Sequence, residues 1–233
     1  MSRIVDVIIP AFNEAPSIGL VLDAIPRQHV REVIVVDNDS SDDTAEVAQR
    51  HGARTVRESR RGYGSACLAG MAARAGRDGV VVFLDGDFSD HPEQLPDLVD
   101  PIFNGEQDFV LGSRILGPNG KSALLPQSYW GNRLATTLIR WLFGHRYTDL
   151  GPFRAIRSDV LAELGMCDQN FGWTVEMQIR AVRAGLRILE VPVRYRQRVG
   201  VSKITGTVRG TIRAGWKILW LIFRYGILER PSR

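Results

Sequence analysis

The chain has 233 residues, 44% of them hydrophobic and 24% charged, with a formal net charge of +4. That length and balance fit one large globular domain or a domain with a small appendage, and exclude a disordered, fibrous or disulfide-stapled chain. Cys67 and Cys167 stand far apart without metal-type spacing, which suits a reducing, cytoplasmic compartment.

In chain order, Ile4 to Ile9 reads as a buried strand ending at Pro10, and Ser17 to Ile25 has helical apolar spacing. Glu32 to Val36 is a second strand, followed by a helix over Thr44 to His51 with Ser41 or Asp42 as its N-cap. Ala53 to Arg57 is a short third strand, Ser65 to Ala75 a third helix and Val80 to Leu84 a fourth strand. This alternation predicts an α/β fold: a mostly parallel sheet with helices on both faces and ligands at the C-terminal strand ends. A helix over Glu93 to Phe103 and a strand over Phe109 to Gly112 come next, then a Gly-, Pro- and Asn-rich mobile loop over Ile115 to Gln127. Helices over Ser128 to Phe143, Asp159 to Leu164 and Thr174 to Ala184 and a last strand over Ile188 to Tyr195 complete residues 1–205.

Three strand ends carry acids or amides: Asn13 and Glu14 after the first, Asp37 and Asp39 after the second, Asp85 and Asp87 after the fourth. The run Val80-Val81-Val82-Phe83-Leu84-Asp85-Gly86-Asp87 is the most telling, because an apolar strand ends in two carboxylates one glycine apart. Such crowded acids repel one another, and a divalent cation relieves them. The alternative is that they only cap the following turn.

The words Ile9-Pro10-Ala11-Phe12-Asn13-Glu14, Val35-Val36-Asp37-Asn38-Asp39-Ser40-Ser41-Asp42-Asp43-Thr44, Arg61-Gly62-Tyr63-Gly64-Ser65-Ala66 and Asp85-Gly86-Asp87 occur in this order. Together they resemble the family 2 inverting glycosyltransferases of GT-A fold, within them the polyprenyl- and dolichol-phosphate mannosyl- and glucosyltransferases. Gly112-Ser113-Arg114, Asp149-Leu150-Gly151-Pro152-Phe153-Arg154, Phe171-Gly172-Trp173-Thr174-Val175-Glu176-Met177 and Arg198-Val199-Gly200-Val201-Ser202-Lys203 resemble that subgroup too. The likeness covers about residues 4 to 205.

The resemblance implies transfer of a hexose from a nucleotide-diphosphate sugar, UDP- or GDP-linked, to polyprenyl phosphate with inversion, aided by Mg²⁺ or Mn²⁺. Pro10, Ala11, Asn13 and Glu14 would line the nucleotide pocket, Asp37 would contact base or ribose, and Gly64 would let backbone approach the nucleotide. Asp39 is a second donor candidate, or a helix cap. Asp85 would contact nucleotide or sugar, and Asp87 would bind the metal directly. The subgroup commonly places Gln where this chain has Ser89, a shorter metal ligand, so Asp90 or water is the alternative. Arg114, Arg133, Arg198, Ser202 and Lys203 are candidates to hold the acceptor phosphate, since guanidinium grips phosphate by paired hydrogen bonds. Arg133 rests on position alone, with a solvated helix residue as the alternative. Asp149 would hold a sugar hydroxyl, orient the arginines, or act as base toward an alcohol acceptor. Glu176 contacts sugar or pairs with Arg180 four residues on, and Trp173 stacks on sugar or fills core.

The basic excess gathers at Arg194, Arg196, Arg198, Lys203, Arg209, Arg213, Lys217, Arg224 and Arg230, which suits an anionic partner. Residues 206–233 read as a basic amphipathic tail with Trp216, Trp220 and Phe223, packed on the domain, on a second subunit or on a membrane surface. Neither a signal peptide nor a transmembrane stretch is expected, so attachment at the inner face of a membrane would be peripheral. Nucleic acid is not an expected partner, because the positive charge is interleaved with bulky aliphatics. Rival readings are a glycosyltransferase with a hydroxyl acceptor and a sugar-phosphate nucleotidyltransferase. The second would need a glycine- and lysine-rich phosphate loop, which Pro10-Ala11-Phe12-Asn13-Glu14 is not.

Overall fold

Apolar β-branched runs buried on both sides build the centre of the sheet. The computed structural model describes residues 3–118, 120–200 and 208–229. Its first half alternates as expected: β1 (Val5–Ala11), α1 (Ala15–Ala24), β2 (Val30–Asp37), α2 (Thr44–Arg50), β3 (Arg54–Arg57), α3 (Tyr63–Ala73) and β4 (Val80–Phe83). Then come α4 (Leu95–Phe103), β5 (Phe109–Ser113), α5 (Pro126–Phe143), β6 (Arg154–Arg157), α6 (Ser158–Glu163), α7 (Trp173–Arg183), β7 (Ile188–Pro192) and α8 (Val208–Phe223). A π turn over Arg224–Leu228 ends the described chain. The segment expected as a loop after β5 includes a 3-10 turn over Gly120–Ala123.

The seven strands are ordered β3-β2-β1-β4-β6-β5-β7. β1 pairs in parallel with β2 and β4, and β5 with β7, while β6 runs antiparallel between β4 and β5. β6 is not among the expected strands, because Arg-Ala-Ile-Arg has no apolar run to signal one. Arg154 opens β6 fully buried; its guanidinium donates to the carbonyls of Thr174, at 2.9 Å, and of Gly151.

Side chains two apart share a face, so each strand feeds both layers. Ile8, Ile34, Val81 and Phe83 face one layer with Ile139, Trp173 and Leu221. Val7, Ile9, Val35 and Val82 face the other with Ile18, Leu22 and Leu98. α8 and the π turn after it belong to the first layer: Leu221 and Ile222 on the helix and Tyr225 in the turn are buried there. A Cβ on Gly172 would fall 1.9 Å from a Leu221 methyl, so the helix seats directly on that backbone. Among the described residues no helix is long and apolar enough to cross a membrane.

Candidate active site

Because β1, β2 and β4 are parallel, the loops after them open on one rim. The first two are stitched together. Asn13 takes a left-handed turn (φ 53°), its N–H donates to Ser40 Oγ at 3.0 Å, and its Oδ1 accepts the Ser41 N–H at 2.8 Å. The Glu14 N–H donates to Thr44 Oγ1 at 2.8 Å. Half-buried Asp37 accepts the Ser40 N–H at 3.0 Å. Asn38, not singled out from sequence, ties in the third loop: its amide donates to the carbonyls of Glu58 and Arg60, and its Oδ1 accepts the Gly62 N–H. Only its place inside the second motif pointed to it.

The acid loop after β4 is crowded. Asp87 Oδ1 accepts both the N–H and the hydroxyl of Ser89, at 2.8 and 2.5 Å. Asp87 Oδ2 lies 2.7 Å from Arg198 Nη2, which is also 3.4 Å from Glu14 Oε1. Asp90 is 1% exposed, and neither of its carboxylate oxygens has a hydrogen-bond partner among the described residues. Burial, then the charges of Asp87 and Asp90, push the Asp85 carboxyl well above the usual range. Burial and then Asp87 push Asp90 up to about 7.

These residues fit a hard divalent cation. Orphaned buried oxygens and mutually repelling carboxylates are the donor set that Mg²⁺ or Mn²⁺ takes. Among the described residues no three such side chains converge as a complete cage, so one or two acids would hold the ion and ligand phosphate or water the remainder.

Across the rim, Arg114 and Asp149 form a two-pronged ion pair, Nε to Oδ2 and Nη2 to Oδ1 each at 2.8 Å, and the Arg114 N–H donates to Oδ2 at 2.9 Å. Burial opposes both charges, yet the pairing outweighs it: the Asp149 pKa is lowered and that of Arg114 raised. Arg114 lies 5.1 Å from the ring centre of Tyr195, whose backbone bridges Asp90. The two halves of the site therefore touch.

Several expected site residues have other work. Asp149 is committed to Arg114: its carboxylate accepts from the Arg114 N–H, Nε and Nη2 and from the Leu150 N–H. Asp39 caps nothing; it pairs with Arg57 and Arg61. Asp42 supports the start of α2, accepting the Thr44 N–H and hydroxyl. Gly64 makes room for protein backbone, since a Cβ there would meet the Asp168 carbonyl oxygen at 2.0 Å. Ser89 buttresses Asp87. Glu176 is fully buried and accepts from the backbone of Cys167 and Asp168, from Arg180 and from Tyr225, so it anchors α7 and α8 instead of holding sugar. Trp173 is 0% exposed, its ring 4.6 Å from that of Phe83, and cannot stack on a sugar. Arg133 is exposed on α5. Ser202 and Lys203 lie outside the described residues.

Residues 6–165 match the family model for glycosyl transferase family 2, and the chain belongs to that family. An uncharacterized glycosyltransferase of Mycobacterium tuberculosis is 38% identical over 225 residues, covering 92% of this chain and 97% of its own length. The undecaprenyl-phosphate mannosyltransferase of Micrococcus luteus is 35% identical over 221 residues, covering 87% and 88%. Glucosyl-3-phosphoglycerate synthase of M. tuberculosis, crystallised with Mn²⁺, UDP-glucose and phosphoglyceric acid, superposes with a TM-score of 0.74 at 26% identity, covering 95% of this chain and 80% of that one. The fold is that of the GT-A glycosyltransferases.

Proposed function

We propose that this protein transfers a hexose from a UDP- or GDP-linked sugar to a polyprenyl phosphate with inversion, using Mg²⁺ or Mn²⁺ at the Asp85-Gly86-Asp87 loop. The observation that carries the reading is the convergence of three acid-bearing loops on one rim, faced by Arg114 and Arg198. Pro10, Ala11, Asn13 and Glu14 line the nucleotide side, and Asp37 accepts from ribose hydroxyls or a base N–H. When bound, the metal neutralises the departing nucleotide diphosphate as the glycosidic bond breaks.

A lipid phosphate is already ionised near neutral pH and attacks without a base, provided cations hold it in line. Asp149, committed to Arg114, suits that chemistry: it aims the guanidinium and leaves its remaining edge for acceptor phosphate. A soluble phosphorylated alcohol is the second reading, favoured by the phosphoglyceric acid in the structural neighbour.

The outer faces of α5 and α8 support a membrane-surface location on the inner leaflet. Trp130, Leu134 and Trp141 on α5 and Trp216, Trp220 and Phe223 on α8 are exposed, with Arg133, Arg140 and Arg213 among them. Aromatic rings flanked by arginine suit an anionic headgroup layer.

Purified protein is incubated with Mn²⁺, a panel of UDP- and GDP-sugars, and either undecaprenyl phosphate or phosphoglyceric acid, and nucleotide diphosphate is followed. Release that requires the prenyl phosphate is expected. Release with phosphoglyceric acid alone establishes the second reading, and none with any donor contradicts both. Co-sedimentation with anionic liposomes is expected to fall when Trp216, Trp220 and Phe223 become Ser; equal retention removes the membrane face from the account.

A further inference from the structure

After β7 the chain lies back along the acid loop as a strap. The Arg196 N–H donates to the Ser89 carbonyl at 2.9 Å and the Val199 N–H to the Asp87 carbonyl at 3.0 Å, while Tyr195 bridges Asp90. The Arg196 guanidinium stacks 3.6 Å over the Phe88 ring. These attachments fix the two residues between them, Gln197 and Arg198. Arg198, 28% exposed at its side chain, therefore holds its Nη2 on Asp87 Oδ2 at 2.7 Å and near Glu14 Oε1 at 3.4 Å. Ser89 occupies the other Asp87 oxygen. The carboxylate that best fits a cation thus already carries one, supplied by the protein across 111 residues of sequence.

We infer that Arg198 is the resident counter-ion of the acid loop and must leave Asp87 before a divalent cation can bind there. A guanidinium and a divalent ion cannot share Oδ2, because at such separations their charges repel strongly in a half-buried cleft. The displaced guanidinium stays tethered beside the cleft by the Val199 contact, within reach of an incoming phosphate. Loading of metal and donor is then what frees Arg198 for the acceptor. This second step rests on the phosphate-acceptor reading above; the first rests on the Asp87 geometry alone. The arrangement also keeps the acid loop charge-balanced between turnovers, and keeps a free phosphate from occupying Arg198 early.

Mn²⁺ binding without nucleotide, read from the electron paramagnetic resonance of free Mn²⁺, tests the displacement. Arg198→Gln is expected to bind Mn²⁺ about threefold tighter or more than wild type, since no cation has to be expelled. Arg198→Lys, which keeps the charge, is expected to bind close to wild type. Equal or weaker affinity in Arg198→Gln overturns the inference, as does an Arg198→Lys that binds as tightly as Arg198→Gln. Wild type that binds no Mn²⁺ even with UDP or GDP present would defeat the metal reading itself, so the two failures are distinct. For the release of Arg198, calorimetry with farnesyl phosphate is expected to show about threefold tighter binding to wild type once Mn²⁺ and the preferred nucleotide diphosphate are present, and no such gain in Arg198→Gln. Absence of the gain in wild type overturns the release step.

Discussion

Replacing Asp149 with Asn removes one charge from a pair that is almost wholly out of water. Asp149 is 1% exposed and the Arg114 side chain 14%, and the carboxylate accepts from Arg114 at its N–H, Nε and Nη2. Breaking one half of a buried pair leaves the other charge uncompensated and costs about 3–5 kcal/mol. An amide oxygen retains part of the hydrogen bonding, which places Asp149→Asn near the lower figure, about 3 kcal/mol. In a chain of this size each kcal/mol moves the melting temperature by about 2–4 °C, so circular dichroism should show a fall of about 6–12 °C. The double variant Arg114→Met with Asp149→Leu is expected to recover at least about 1 kcal/mol of the summed single losses, because no unpaired charge is left behind. Neither variant should retain transfer. An Asp149→Asn protein melting within about 2 °C of wild type would show that the pair is not the electrostatic anchor described.

Two glycines divide in the same terms. Gly64→Ala would push a Cβ to 2.0 Å from the Asp168 carbonyl oxygen, backbone against backbone, and should cost about 1–3 kcal/mol in urea unfolding. Gly86→Ala meets nothing closer than 3.5 Å and should leave stability unchanged, so a rise in donor KM there would report ligand approach; a stable Gly64→Ala or an unstable Gly86→Ala contradicts the packing. Asp108 supplies a pH signature. Arg187, hydrogen-bonded to it, and Arg157 hold its pKa at about 2. A carboxyl depressed on folding contributes in full above its unfolded pKa and loses that contribution as pH falls from about 4 through about 2. The size is about 1 kcal/mol after screening at the exposed Arg187, and Asp108→Asn should flatten the stability curve in that window. An unchanged curve would rule out the pairing.

The first half of the fold was legible because parallel strands buried on both faces read as unbroken Val and Ile runs, and their polar ends mark the rim. β6 was not, because its two arginines hide a strand whose first side chain is fully buried with its guanidinium donating to backbone carbonyls. The acids at positions 85 and 87 stood out locally. What they touch did not, since Arg198 reaches Asp87 through a strap set by tertiary pairing. Glu176 and Trp173 sat in motif segments, yet motif membership does not tell a side chain aimed at ligand from one aimed at core. Their partners are Tyr225, 49 residues after Glu176, and Phe83 at the end of β4. Gly64 shows the same ambiguity: a missing Cβ makes room, and only the structure shows that protein backbone fills it.

The proposed function makes the acid loop depend on a bound divalent cation. The direct measurement is nucleotide diphosphate release from the preferred donor in the presence of undecaprenyl phosphate, titrated with Mn²⁺ after removal of metal by chelator, for wild type and Asp87→Asn. Wild type should fall silent on chelation and recover with Mn²⁺, while Asp87→Asn, folded by circular dichroism, should be slower by about 100-fold or more at saturating metal. Full turnover in chelator, or an Asp87→Asn enzyme as fast as wild type, would contradict it.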